Sequence, residues 1–354
     1  MEMNFSRSEM PCVMDSDLPL ITVGIPTRNR SALLRGCVES VLAQTYPNIE
    51  ILVSNNASTD DTSDMLRSLN DARIREHVNP SDIGMMPNLN KCLELATGKY
   101  FILLPDDNTL QPSFLENAAG LLKQEPDLPI VAGVYNIEVT DEHRTIPGAL
   151  SKRLKTGIWP GTDLLIEHLR GNLTYGTLSC VVRTDLLRRN GGFAEDTFEE
   201  DLVLGQLFLE GRAGLIARPC AAQLFHNHPT GRCSASQDVD SRFRDLCKNL
   251  EELSAVAERM IADPDTRIAV QNHTRSRIWH RAIQELAFIR QDGASLLDVA
   301  KSLWCWRAPL ARCSFRNFLA GLRLRPLGRI LLPSALLRYL HGLGPAVQRG
   351  LAKT

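Results

Sequence analysis

No C-x-x-C pair occurs in this chain, although nine of its 354 residues are cysteine. Without that spacing, paired-cysteine zinc sites and dithiol redox chemistry have no footing. The odd number excludes complete pairing within one chain. Cys12, Cys37, Cys92, Cys180, Cys220, Cys233, Cys247, Cys305 and Cys313 therefore read as free thiols in a reducing compartment, several on apolar helix faces. No stretch approaches the ~20 consecutive apolar residues that a spanning helix needs. Residues 1–19 lack the apolar stretch of a signal peptide and read as a flexible N-terminal segment. Internal repeats and low-complexity tracts are absent. Acid is missing from one region altogether: residues 301–354 hold ten of the 40 Lys and Arg and none of the 41 Asp and Glu. An acidic body with a basic tail suits two different partners.

What is present is an alternation of apolar runs and amphipathic stretches. Leu20–Pro26 reads as a strand that Pro26 ends. Ser31 then reads as the N-cap of a helix carrying Leu33, Leu34, Cys37, Val38, Val41 and Leu42 on one face. Strands at 49–53, 73–78 and 99–104 follow. A helix capped by Ser58 or Thr59 runs to about Leu69, and another spans Gly84–Ala96 with Gly98 as its stop. This pattern predicts an α/β fold with a mostly parallel central sheet flanked by helices. Farther on, helices are expected at 112–124, 162–170 and 198–210, with strands at 129–138, 177–183 and 213–217. Residues 140–160 and 226–241 read as loop. Past Ser241 the strand signal vanishes, and helices near 241–262, 265–291 and 295–306 form a C-terminal helical extension. The expected division is 1–19, 20–240 and 241–354.

Two strand ends carry the chemistry. Ile49–Val53 runs into Ser54-Asn55-Asn56-Ala57-Ser58-Thr59-Asp60-Asp61-Thr62, and Tyr100–Leu104 runs into Pro105-Asp106-Asp107-Asn108. Polar residues at the carboxyl ends of buried parallel strands lie where open α/β sheets bind ligands. Adjacent carboxylates there suit a hard divalent cation and, with it, a phosphate-bearing substrate.

Residues 20–108 resemble the nucleotide-sugar-binding half of family 2 glycosyltransferases, which have the GT-A fold. The resemblance rests on Ile25-Pro26-Thr27-Arg28-Asn29-Arg30, Ser40-Val41-Leu42-Ala43-Gln44-Thr45-Tyr46-Pro47, Asn55 to Thr62, and Leu104 to Asn108, in that order and spacing. It thins toward residue 230. It implies that Pro26, Thr27 and Arg30 line the base and ribose of a nucleotide-diphosphate sugar, with Asn55 and Asn56 beside them. The family has an acid where Asn55 stands. An amide there can pair with the N–H and C=O edge of uracil or thymine, which favours UDP or dTDP donors over CMP donors. The family's D-x-D loses its first acid to Pro105. The resemblance then gives Asp107 to a Mn²⁺ or Mg²⁺ ion and Asp106 to the ribose or a metal-bound water. Phe198-Glu199-Glu200-Asp201-Leu202 matches the acidic segment that holds the catalytic base, so Asp201 is the first candidate and Glu200 the second. Acids in a helix's first turn also favour its dipole, which is the structural alternative. His228 corresponds to a histidine near the diphosphate and metal, with His226 and Arg232 close by.

The expected activity is metal-dependent, inverting transfer of a sugar to a glycan or lipid-linked glycan hydroxyl. The basic tail interleaves Arg with Trp304, Trp306, Phe315, Phe318 and Tyr339. That composition suits an anionic membrane surface through 301–354, peripherally on the cytoplasmic face, or a solvated helical cap. No nucleic-acid recognition motif is present. A nucleotidyltransferase is the rival enzyme, but it would carry a Gly-rich phosphate loop after the first strand, which Ile25–Asn29 lacks. A non-catalytic glycan-binding scaffold on the same fold is the other alternative, given Asn55 and Pro105.

Overall fold

The computed structural model describes residues 18–140, 143–193, 200–225 and 239–291. Strand and helix alternate as β1 (Ile21–Thr27), α1 (Ser31–Leu42), β2 (Ile49–Asn55), α2 (Thr62–Ser68), β3 (Ile74–Val78), α3 (Met85–Leu95) and β4 (Tyr100–Leu103). There follow β5 (Thr109–Leu110), α4 (Phe114–Gln124), β6 (Ile130–Val139), β7 (Arg144–Ile146), β8 (Gly157–Pro160), α5 (Gly161–Leu169), a 3₁₀ turn (Thr177–Ser179), β9 (Cys180–Arg183) and α6 (Thr184–Arg189). The chain continues with α7 (Glu200–Leu209), β10 (Arg212–Phe225), α8 (Val239–Met260) and α9 (Pro264–Gln291). Among the described residues these strands form one sheet in the order β3-β2-β1-β4-β9-β6-β10-β5, with β7 beside β6 and β8 beside β10. Pairing is parallel within β3-β2-β1-β4 and between β6 and β10, and antiparallel elsewhere.

Side-chain alternation along the strands splits the core in two. Phe101 and Leu103 join one apolar cluster with residues of α3, α5 and α7. Tyr100, Ile102 and Leu104 join the other, with residues of α1, α2 and α4. A strand buried on both faces has to read as a continuous apolar run, and β4 does. Leu253, Val256, Ala257, Ile261 and Val270 of α8, α9 and their junction belong to the first cluster. At Gly205 of α7 an added Cβ would stand 2.8 Å from Leu253 Cδ1, so the missing side chain lets the helices approach.

Several local expectations change. Pro26 does not end β1, which runs to Thr27 and pairs Pro26 with Ser54. The Gly24 carbonyl accepts from Leu104 N–H on the β4 side, and residue 26 faces the same way; β4 pairs only as far as Gly24, so the missing proline N–H costs no ladder bond. Ser31 is the first residue of α1 rather than its cap, and α2 starts at Thr62 rather than after Ser58 or Thr59. Gly98 is not a helix stop. A Cβ there would lie 2.7 Å from the Leu20 carbonyl oxygen and the Thr22 nitrogen, so the glycine serves close contact with β1. The strand expected at 213–217 is the 14-residue β10. Its pairing with β6 shifts register on both sides of Pro219, and this irregularity carries the strand past a proline that reads as a stop. The stretch 140–160 holds β7 and β8, and α6 has no counterpart in the sequence reading.

Candidate active site

The carboxyl ends of β1, β2 and β4 bring three loops together. Thr27 Oγ1 donates to Asp106 Oδ2 at 2.7 Å. Arg30 bridges the acid pair, with Nη1 2.7 Å from Asp106 Oδ1 and Nη2 2.7 Å from Asp107 Oδ2. Burial pushes the Asp106 carboxyl up to about 6, against the pull of the Arg30 charge and the Thr27 hydroxyl. The Asp107 side chain is 17% exposed and that of Asp106 only 5%, so Asp107 is the more accessible to a ligand.

The first two loops are joined to each other. Asn29 Oδ1 accepts from the Thr59 N–H at 2.7 Å, and the Asn29 N–H donates to Ser58 Oγ at 2.9 Å. Asn29 and Ala57 hold left-handed φ angles of 52° and 53° to make these turns. Asp60 caps α1 across the gap by accepting from the Ser31 N–H.

Asn55 and Asn56 sit where expected but are enclosed. Asn55 is 1% exposed. Its two amide protons go to Glu76 Oε1 at 2.8 Å and Ser63 Oγ at 3.3 Å, and its oxygen accepts from the Ser58 N–H. With both donors engaged, its amide can offer the paired edge expected for uracil or thymine only if those bonds open; Glu76 of β3 is the carboxylate beside it. Asn56 bonds Asp82, Asn79 and the Ile83 N–H, and Asn79 continues to the buried Asn88 and Ser54. It shapes the loop that precedes α3.

Glu200 and Asp201 open α7. The sheet register brings them to the same edge as the acid pair. Val182 pairs with both Phe101 of β4 and Ile130 of β6, so β4 and β6 run in the same direction and their carboxyl ends, with Asp106 after one and Tyr135 toward the other, share one edge of the sheet. Gly176 packs there: a Cβ on it would touch Tyr135 and Glu200 Oε2. Glu200 Oε1 accepts from Thr177 Oγ1 at 2.8 Å. Asp201 is 5% exposed, and both its oxygens are engaged. His168 Nε2 is 2.8 Å from Oδ1, and Arg277 Nε is 3.3 Å from Oδ2. Tyr175 stacks on His168 with ring centroids 3.9 Å apart.

Pro26 lies within β1 beside Ser54, one residue before Thr27 ends the strand. His228, with His226 and Arg232, lies outside the described residues, as do Phe198, Glu199, the helix expected at 295–306 and the tail 301–354. Five thiols, Cys37, Cys92, Cys180, Cys220 and Cys247, are free and buried as expected. Among the described residues no group of three or more His, Cys, Asp or Glu forms a metal cluster. The oxygen-only pair Asp106-Asp107 still fits a hard cation that takes its remaining ligands from substrate phosphates. Sequence reasoning missed His168, Arg277, Tyr175 and Glu76. His168, Arg277 and Glu76 lie in regular elements whose pattern read as ordinary helix or strand, and Tyr175 lies in the segment before the Thr177–Ser179 3₁₀ turn. Asp60 stood within a motif but received no role.

This fold is the GT-A fold of nucleotide-sugar transferases. Over 86% of this chain and 81% of that chain it superposes on TarS residues 1–349 from S. aureus, solved with UDP-GlcNAc, with a TM-score of 0.61 at 15% identity. Residues 22–179 match the model of glycosyl transferase family 2, and this segment is a domain of that family. An uncharacterized glycosyltransferase of Haemophilus influenzae is 31% identical over 178 residues, which cover 49% of this chain and 54% of that protein. The GalNAc(5)-diNAcBac-PP-undecaprenol beta-1,3-glucosyltransferase of Campylobacter jejuni is 34% identical over 30% of this chain and 35% of its own length. The matched segment thus spans about half, or less, of these curated relatives.

Proposed function

We propose that the protein is a metal-dependent inverting glycosyltransferase acting from a nucleotide-diphosphate sugar onto a glycan or lipid-linked glycan hydroxyl. The observation that carries this reading is the tie between Thr27 and Arg30 after β1 and the adjacent carboxylates Asp106 and Asp107 after β4. Asp107, the more accessible acid, would hold Mn²⁺ or Mg²⁺, with Asp106 toward the ribose or a bound water. When bound, the cation neutralises charge on the leaving diphosphate. Arg30 is placed to exchange its carboxylate partners for phosphate oxygens. Asp201, with Glu200 next to it, would take the proton from the acceptor hydroxyl as it attacks the anomeric carbon.

The nucleotide is proposed as UDP or dTDP, with its base toward the Asn55–Glu76 pair. The lipid-linked acceptor draws support from the Campylobacter relative, whose name specifies an undecaprenol-linked substrate. No helix among the described residues is long and apolar enough to cross a membrane. Attachment to the cytoplasmic face is therefore proposed as peripheral, through the basic tail. The transferase domain is placed at 20–240 and the extension at 241–354.

A thermal-shift series with UDP-, dTDP-, GDP- and CMP-sugars, with and without Mn²⁺, tests the reading. Stabilisation by a UDP- or dTDP-sugar that needs the metal, followed by hydrolysis of that donor, is expected. No metal-dependent shift with any of them overturns it.

A further inference from the structure

We propose that Arg277, from α9 of the C-terminal helical segment, positions the Asp201 carboxylate together with His168, which makes α9 part of the catalytic site. The proposal rests on reading Asp201 as the base. Three elements meet at this carboxylate: α7 supplies Asp201, α5 supplies His168 and α9 supplies Arg277. His168 Nδ1 lies 2.9 Å from the Leu173 carbonyl oxygen, which can only accept, so Nδ1 carries a proton. Nε2 faces Asp201 Oδ1 at 2.8 Å, and that contact needs a proton between them as well. Arg277 touches both groups, and its Nη2 lies 3.5 Å from His168 Nε2. Its guanidinium lies 3.3 Å from Oδ2, and a nearby cation favours the ionised carboxylate. His168 and Arg277 thus hold both oxygens, fix the rotamer of Asp201 and keep it ready to accept a proton.

Helix α9 is docked firmly enough to do this. Val270 and Ile278 are buried, and Arg170 of α5 donates to His273 of α9 at 3.0 Å. The other polar groups near Asp201 are Glu200 of α7 and the Tyr175 hydroxyl, which is buried with no hydrogen-bond partner. Neither supplies a cation, whereas Arg277 brings a permanent positive charge to the carboxylate. A purely structural brace would act on stability alone. A positioning role acts on turnover and on the acid limb of the pH profile.

The test compares the full-length wild type with Arg277→Met, Arg277→Lys and Asp201→Asn in Mn²⁺-dependent hydrolysis of UDP-glucose and UDP-GlcNAc. Arg277→Met is expected to lose about tenfold or more in kcat at unchanged donor KM, a part of the ~10²–10⁴ that a general base supplies. Its acid limb should move up by about one pH unit or more, because losing the cation raises the Asp201 pKa. Arg277→Lys should recover part of kcat. If Arg277→Met does not fold, Arg277→Lys takes its place, since it keeps the charge but loses the guanidinium geometry; wild-type kcat in that variant overturns the proposal. An active Asp201→Asn overturns the base reading and this proposal with it. An inactive Asp201→Asn beside a wild-type Arg277→Met overturns this proposal alone. A second readout needs no turnover: the Asp201 carboxyl, followed by ¹³C-aspartate NMR and assigned with Asp201→Asn, should titrate higher in Arg277→Met, and an unmoved titration overturns the proposal.

Discussion

The Asp60 carboxylate accepts a hydrogen bond from the Ser31 backbone N–H at 3.1 Å, while its other oxygen takes the Thr62 N–H and hydroxyl at 3.2 and 2.6 Å. One side chain in the loop after β2 thereby serves the first turns of both α1 and α2. Losing a cap costs about 0.5–2 kcal/mol per helix. Asp60→Ala should therefore lower stability by about 1–3 kcal/mol in denaturant unfolding, with donor affinity falling as the loops loosen. An unchanged midpoint would mean that the two bonds carry no weight.

Glu76 accounts for an amide rather than an acid at position 55. An aspartate at 55 would set a carboxylate against Glu76 Oε1, where the amide now donates at 2.8 Å. Asn55→Asp is expected to destabilise the protein by about 1–3 kcal/mol, the usual cost of turning a buried hydrogen bond into an unpaired contact. Adding Glu76→Gln should restore most of the loss, because the amide can then donate to the new acid. Strictly additive effects of the two changes in thermal unfolding would refute the coupling.

Asp106 has a pH signature. Its carboxyl titrates at about 6 in the fold, against about 3.9 in an unfolded chain. Between those values the folded protein keeps a proton that the unfolded chain has lost, so stability falls as pH rises through the window. Above it the ionised acid costs on the order of 3 kcal/mol. Without metal or donor, Asp106→Asn should then melt higher than wild type near about pH 7.5 and no higher near about pH 3.5. Donor binding by the wild type should weaken as pH drops through about 6, where the carboxylate is lost. A lower melting temperature for Asp106→Asn at the higher pH would contradict this account.

Asp107 is the test of metal use. Asp107→Ala should abolish Mn²⁺-dependent donor hydrolysis and leave melting of the apo-protein near that of wild type, since the side chain is partly exposed and pairs with Arg30 at the surface of the cleft. Full metal-dependent turnover in that variant would remove Asp107 from the metal site.

The tail makes a separate prediction. With ten bases and no acids in residues 301–354, the full chain should co-sediment with anionic vesicles, and a version ending near residue 300 should not. Added salt should weaken the attraction through screening. Equal sedimentation of the two would leave the tail a solvated cap.

Apolar periodicity made the parallel half of the fold legible, because strands buried on both faces must be continuous runs and the helices over them must be amphipathic. The two acidic turns were legible for the same reason: they end such runs. The antiparallel half was legible only in part: β6, β9 and the start of β10 were expected as strands, while β5, β7 and β8 were not. β10 hides behind Pro219, where a local irregularity keeps the pairing that proline would otherwise break, and β7 is three residues long and exposed. Asp201 was visible as an acid at a helix start. Its partners His168 and Arg277 were not, since they stand 33 and 76 residues away along the chain and each sits inside a helix with no local mark of its role.

The bonds from Asn29 to Ser58 and Thr59 bear on how quickly the cleft can be filled. Because the loops after β1 and β2 are tied to each other by hydrogen bonds within the protein, neither has to be ordered afresh when a donor arrives. Ordering a loop residue during association would subtract from affinity. Here that conformational entropy is lost during folding instead. Binding should therefore resemble entry into a rigid socket, with its rate set by diffusion and the exchange of Arg30's partners rather than by loop closure.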